Sequence, residues 1–254
     1  AWDDAAECPT FCAFLDSITA KDSPAEAIAK QRALCEAIGY SLTSWTGLER
    51  FVLLYGPRAS NGKSTLLTLL KSLTGKASAS LSVSQLSQRF AVAKLQGALV
   101  NLCSEIARGE VLPEAQVKAI VSGDPVTAER KGKDLFDLVP VSTLWFATNT
   151  LPSTRDLSPA LLDKRCLLIE LTRSFEGGTA KDTTLGVKLA RELPGILRMC
   201  LEAFGRALSL SRMPVAWTVD VGTGMRQTLE HCDVRPMEDT PAGLLAKAAW
   251  RQES

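Results

Sequence analysis

Apolar residues along this chain fall into short continuous runs that alternate with longer stretches in which they recur every three or four positions. Residues 51–55, 98–103, 142–148 and 166–171 are apolar and β-branched enough for strands buried on both faces. Between the first two, Leu66, Leu67, Leu69, Leu70 and Leu73 mark one side of a helix that opens at Ser64 and stops at Gly75. Further helical signals lie near residues 85–95, 113–121 and 158–164. Strands alternating with helices predict a mainly parallel sheet covered on both sides. Upstream, Ser23, Pro24 and Glu26 form a capping box with proline at the first helical position, and Gly39 is the expected end of the run carrying Ile28, Leu34 and Ile38. Residues 1–46 therefore read as a small helical subdomain, separate from the sheet, whose apolar face is for packing.

Residues 47–175 form the expected core, and residues 176–215 give amphipathic signals around Val187, Leu189 and Leu193, then around Ile196, Leu197, Leu201 and Phe204. Residues 216–254, with Gly222, Thr223, Gly224, Pro236 and Pro241, read as a linker and the start of a further module. No internal repeat or low-complexity tract is present.

Composition narrows the class only a little. At 254 residues and 46% hydrophobic, the chain can bury a large core. Its 29 basic and 28 acidic side chains nearly cancel, so any nucleic-acid contact must come from a local cluster. The start, AWDDAAECPT, has neither a basic nor an apolar signal-peptide region, and no stretch approaches membrane-spanning length. A cytoplasmic protein without a membrane partner is expected. The chain begins without Met, as a piece cut from a longer polypeptide would. Its seven cysteines are odd in number and scattered, which argues for reduced thiols packed as small hydrophobes. Cys8 with Cys12, and His231 with Cys232, offer only a weak zinc-site spacing. His231, the single histidine, reads as a solvated loop residue.

The chemistry concentrates where the first strand meets the first core helix. Gly56 and Gly62 allow a turn tight enough for backbone N–H groups to point at phosphate oxygens, and the helix N-terminus adds partial positive charge. Lys63 would reach β- and γ-phosphates and the Ser64 hydroxyl would ligate Mg²⁺, so Gly56, Asn61, Gly62, Lys63, Ser64 and Thr65 form the candidate ATP-binding set. The strict pattern wants glycine at position 57, which is proline. Either the loop is one residue longer than usual, or Gly56 and Asn61 redistribute the turn. The Lys63 ammonium is expected at the surface of the empty loop.

Three later residues fit the same chemistry. Glu105, just after the second strand, stands where a nucleoside triphosphatase orients Mg²⁺ or the attacking water. Asn149 ends the next strand beside the γ-phosphate, and Arg165, after a short helix, suits reaching a phosphate across a subunit boundary. The segment 123–141 alternates like a hairpin around Lys131-Gly132-Lys133-Asp134. Arg130, Lys131 and Lys133 fall within four residues at that turn, a basic cluster that reads either as a solvated charged turn or as a contact for single-stranded DNA. No aromatic residue stands at that tip, so backbone tracking is expected over base reading.

Taken together, GPRASNGKST, SEIARGE, VKAIVSGDPVTAERKGKDLF, LWFATNTLPSTRD and LLDKRCLLIEL resemble the superfamily 3 helicase domain of phage, plasmid and poxvirus primase-helicases. CPTFCAFLDSIT with AIGYSL upstream and ELPGILRMCLEAF downstream extend the likeness over roughly residues 5–215. The resemblance implies an AAA+-like three-layer α/β sandwich, flanked by small helical subdomains. It implies an ATP-driven replicative helicase assembled as a ring, usually a hexamer, moving 3′ to 5′ on single-stranded DNA at a replication fork. A fused or associated primase, and a host-cell cytoplasm, go with it. By position, Lys63 and Ser64 match the family's triphosphate and magnesium ligands, Glu105 its acidic second motif, Asn149 its polar sensor and Arg165 its arginine finger. Lys118, Gly123 and Asp124, with Arg130 and Lys131 behind them, match the motif that leads into the DNA hairpin. Ser104 stands where many relatives keep another acid, leaving Glu105 alone, and Gly132 where viral relatives carry a histidine. A ring ATPase that remodels protein, or a small-molecule kinase, are the competing readings of the same loop.

Overall fold

The computed structural model describes residues 3, 5–107, 109–150, 158–175 and 182–209. The expectations for His231, Cys232 and the segment 216–254 lie outside them.

The four apolar runs become β1 (Phe51–Tyr55), β3 (Val100–Cys103), β6 (Thr143–Thr148) and β7 (Cys166–Glu170). With the two-residue β2 (Ser78–Ala79), they make a five-stranded sheet of order β2-β3-β6-β1-β7 in which every pair is parallel. The helices are α1 (Pro9–Thr19), α2 (Pro24–Ser41), α3 (Lys63–Thr74), α4 (Arg89–Val92), α5 (Glu114–Ser122), α6 (Pro159–Arg165), α7 (Leu185–Arg191) and α8 (Leu193–Ser209). A two-stranded antiparallel hairpin, β4 (Val126–Ala128) with β5 (Phe136–Leu138), stands apart from the sheet, in register Ala128 to Phe136. Of the described helices, none is long and apolar enough to cross a membrane.

Alternation along the strands builds the layers. Val52, Leu54, Trp145, Ala147, Leu167 and Ile169 face a core shared with α1, α2, α3, α7 and α8. Phe51, Leu53, Leu144, Phe146, Cys166 and Leu168 face the other core, shared with α5, α6 and the hairpin. The chain is thus an α/β sandwich with a mainly parallel sheet between two helical layers.

Two local expectations change. The N-terminal helices are not separate from the sheet: Phe11, Phe14, Leu15 and Ile18 are buried in the same core as β1 and α3, because the sheet leaves that face uncovered. Gly39 does not stop α2, which continues to Ser41. A Cβ there would lie 2.1 Å from the Cys200 carbonyl oxygen and 2.7 Å from Phe204 Cβ, so the glycine is the contact point of α2 with α8. Gly39→Ala gains about 1 kcal/mol of helix propensity. Against that it must push two backbones apart, so a net loss of about 1–3 kcal/mol is expected, read as a lower denaturant midpoint at unchanged slope. The Ser23–Glu26 capping box forms as expected, and Gly75 ends α3.

Buried polar groups pin the layers. Trp145 Nε1 donates to Ser41 Oγ at 2.8 Å, tying the sheet to α2. Asn101, fully buried, accepts from Leu81 N at 2.7 Å and donates to Leu81 O at 3.1 Å, serving as a strand partner where β2 has ended. Of the described cysteines, Cys12 is exposed and Cys8, Cys35, Cys103, Cys166 and Cys200 are buried free thiols. Burial pushes the Cys166 thiol up to about 12.

Candidate functional site

Because β1, β3 and β6 are parallel neighbours, their C-terminal ends open on one edge and deliver three loops to one place. Gly56 N donates to Thr148 O at 3.1 Å, and Ile106 N to Ala147 O at 3.0 Å, so the loops after β1 and β3 are both tied to β6.

The extra residue in the candidate loop between β1 and α3 has a structural answer. Ser60 (φ 54°) and Gly62 (φ 92°) both take left-handed backbone, which absorbs the added length. Asn61, 2% exposed, then folds its amide over Gly56: a Cβ on Gly56 would sit 1.7 Å from Asn61 Nδ2. That Nδ2 donates to Arg58 O at 2.8 Å and Leu171 O at 3.4 Å, bracing the loop against the end of β7. From outside, Phe175 N donates to Ser60 O at 2.8 Å and Ser174 Oγ to Ala59 O at 2.9 Å.

Lys63 opens α3 and, contrary to expectation, is not at the surface: it is only 8% exposed. Its Nζ donates to Gly56 O at 3.1 Å and to Asn149 Oδ1 at 2.6 Å. Burial lowers its pKa, while the Glu105 carboxylate acts in the opposite sense. The loop carbonyl and Asn149 hold the ammonium where phosphate oxygens would otherwise meet it. Asn61, Gly62, Lys63, Ser64, Thr65, Ser104, Glu105 and Asn149 line one cavity of about 820 Å³. Ser64 and Glu105 bring a hydroxyl and a carboxylate to that cavity, the sparse donor set suited to Mg²⁺, which keeps waters and phosphate oxygens for its other positions.

Arg165 is not in that cavity. It immediately precedes β7, whose first residue, Cys166, pairs with Phe51 at the start of β1. It therefore stands at the opposite edge of the sheet, a strand length of roughly 16 Å from the loop that follows Tyr55. There Arg165 Nη1 meets Glu49 Oε2 at 2.7 Å and Ser122 Oγ at 2.6 Å.

The basic turn forms as expected. Lys133 N donates to Arg130 O at 2.9 Å, and Gly132 has φ 72°, a left-handed position that glycine fills without strain. Lys131 and Lys133 are exposed at the tip. Arg130 is held back by Gln96 Oε1 and by the Phe136 ring, 5.4 Å from its guanidinium carbon. Lys118 pairs with Glu114, whose carboxyl is held at about 2 by Lys118 and then by the Ser158 hydroxyl and N–H. These contacts tie α5 to the start of α6. Gly123 (φ 72°) ends α5, and Asp124 N closes it on Ala119 O at 2.9 Å.

Residues 54–164 match the model of a family of unknown function, DUF5906. No curated protein matches the chain. An apo structure titled the A form of the NrS-1 C-terminal region superposes with a TM-score of 0.63 at 14% identity, over 79% of this chain and 47% of that one. A second apo structure of the NrS-1 C-terminal region gives 0.62 at 13% identity, over 84% and 54%. These scores establish a shared fold. The chain spans about half the length of these NrS-1 structures. The JCV helicase superposes with a TM-score of only 0.40 at 13% identity, too weak to carry weight.

Several lining residues were not read from the sequence as part of the site. Thr10, Phe14 and Ser17 of α1, Arg173 and Phe175 after β7, and Leu185 and Leu189 of α7 wall the same cavity. Arg173 Nη1 donates to Ser17 O at 2.7 Å and its guanidinium stacks 4.8 Å from the Phe175 ring. An aromatic residue also stands beside the basic turn after all: Phe90, 57% exposed, lines a hollow with Lys94, Arg130 and Lys131. Long sequence separation hid both groupings.

Proposed function

We propose that this chain is an ATP-driven motor that translocates on single-stranded DNA, 3′ to 5′, as a ring with the character of a superfamily 3 helicase. The observation that carries this reading is the Lys63 ammonium held between Gly56 O and Asn149 Oδ1, in one cavity with Ser64 and Glu105. Lys63 and the α3 N-terminus would take the triphosphate, and Asn149 would exchange its bond to Lys63 for one to the γ-phosphate or the attacking water. Ser64 and Glu105 would hold Mg²⁺, which neutralises the phosphoryl oxygens. Glu105 would orient the water, with Ser104 contributing no second carboxylate. Since Arg165 is at the far edge of its own sheet, it would serve the site of the next subunit. A hexamer acting at a replication fork, with a primase fused or associated, completes the reading.

Lys131 and Lys133 would contact the DNA backbone, with Arg130 anchoring the turn and Phe90 offering a face on which a base can stack. The discriminating experiment is ATP hydrolysis with and without single-stranded DNA, together with the mass of the assembly. Stimulation by DNA in a multimer supports the motor; hydrolysis indifferent to DNA points to protein remodelling. Lys131→Ala should weaken single-strand binding and stop unwinding while basal hydrolysis persists. It should also reduce the salt slope of binding by about 1 for each subunit engaged on the strand. Loss of basal hydrolysis at unchanged DNA affinity would place this lysine at the nucleotide instead.

A further inference from the structure

The surroundings of Arg165 contain more than a salt bridge. Glu49 lies just ahead of β1 with φ 52°, a left-handed conformation uncommon for glutamate, and its N–H is tied to Thr46 O at 2.8 Å. Thr46 Oγ1 in turn reaches Ser122 O at 3.5 Å and lies where a Cβ on Gly123 would come within 2.8 Å. Segments 46–49 and 122–123 are thus joined to each other, and through Glu49 and Ser122 both close on the Arg165 guanidinium. Backbone strain maintained by its surroundings marks positions held for a purpose. The ion pair with Glu49 and the hydrogen bond to Ser122 engage the same nitrogen, Nη1, so the planar fork is tethered at one corner. The Glu49 side chain is 47% exposed and that of Arg165 23%, so the pair stands at the surface, where a second copy of this chain could meet it.

We infer that Glu49 and Ser122 are positioning residues that aim Arg165 at the nucleotide of a neighbouring copy. The inference rests on the trans role proposed above for Arg165. A free arginine carries a large rotamer entropy, and fixing one corner of its fork before the neighbour arrives removes part of that cost from the hydrolytic step. The strained turn fixes the carboxylate that does the fixing.

Glu49→Gly separates this role from folding. Glycine adopts φ 52° without strain, so the substitution removes the tether yet keeps the turn. In the full chain assayed with Mg-ATP and single-stranded DNA, Glu49→Gly should lower kcat about ten-fold, with KM within about two-fold and an unchanged melting temperature. Glu49→Gln, which keeps an acceptor for Nη1, should restore most of the loss, and Ser122→Ala should show a smaller fall of the same kind. Parent-like kcat in Glu49→Gly, while Arg165→Ala is severely impaired, would overturn the positioning role and leave the trans arginine standing. Parent-like hydrolysis in Arg165→Ala itself would remove the trans reading, and this inference with it. A raised KM with unchanged kcat in Glu49→Gly would likewise overturn it, assigning Glu49 to ground-state binding.

Discussion

Lys63→Ala should abolish hydrolysis, with turnover down by at least about 10²–10³-fold, because its ammonium is the cation enclosed by the loop, where on the proposed reading charge would develop on the γ-phosphoryl oxygens. Arg58, the other cation of that loop, is exposed. Stability should move little, for two opposing reasons. The substitution removes charge-assisted bonds to Gly56 O and Asn149 Oδ1, and it also removes a charge whose burial is unfavourable enough to depress its pKa. A net change within about 1–2 kcal/mol is expected, so the purified mutant should melt within a few degrees of the parent. Near-normal turnover by that folded mutant would reject the assignment of the loop to nucleotide.

Arg165→Ala should bind nucleotide nearly normally and hydrolyse it about 10³–10⁵-fold more slowly, the range for arginines supplied to phosphate-loop sites. Losing the partly exposed pair with Glu49 should cost the fold no more than about 1 kcal/mol. The diagnostic result comes from mixing. In rings assembled from Arg165→Ala and Lys63→Ala subunits, an intact Lys63 site of the first can face an intact Arg165 of the second, so activity should return although each protein alone is dead. Full subunit exchange without any return would withdraw the trans role. The distance along the sheet makes the alternative unattractive: from the start of β7, Arg165 would have to cross a strand length to reach the loop of its own chain.

The local parts of this molecule were legible in the sequence because their information is local. A run of apolar residues followed by a glycine loop and leucines at helical spacing specifies β1, the Gly56–Gly62 loop and α3 without reference to anything else. The same holds for the Lys131-Gly132 turn, whose left-handed glycine and flanking alternation are enough to make a hairpin. Sequence order also placed Glu105 and Asn149 correctly at strand ends, and parallel pairing then put them in the cavity with Lys63. Tertiary structure alone decided the rest. Gly39 reads as a helix stop until α8, some 160 residues on, brings a carbonyl to where its side chain would be. Lys63 reads as solvent-exposed until Asn149 and the loop carbonyl close on it, and an amide from Asn61 fills the space that only a glycine at 56 leaves open. Phe90 beside the basic turn, α1 over the cavity and Glu49 on Arg165 are contacts between distant segments. A linear pattern states which face of an element is apolar or charged, but the partner of that face is fixed by packing and closure of the whole chain.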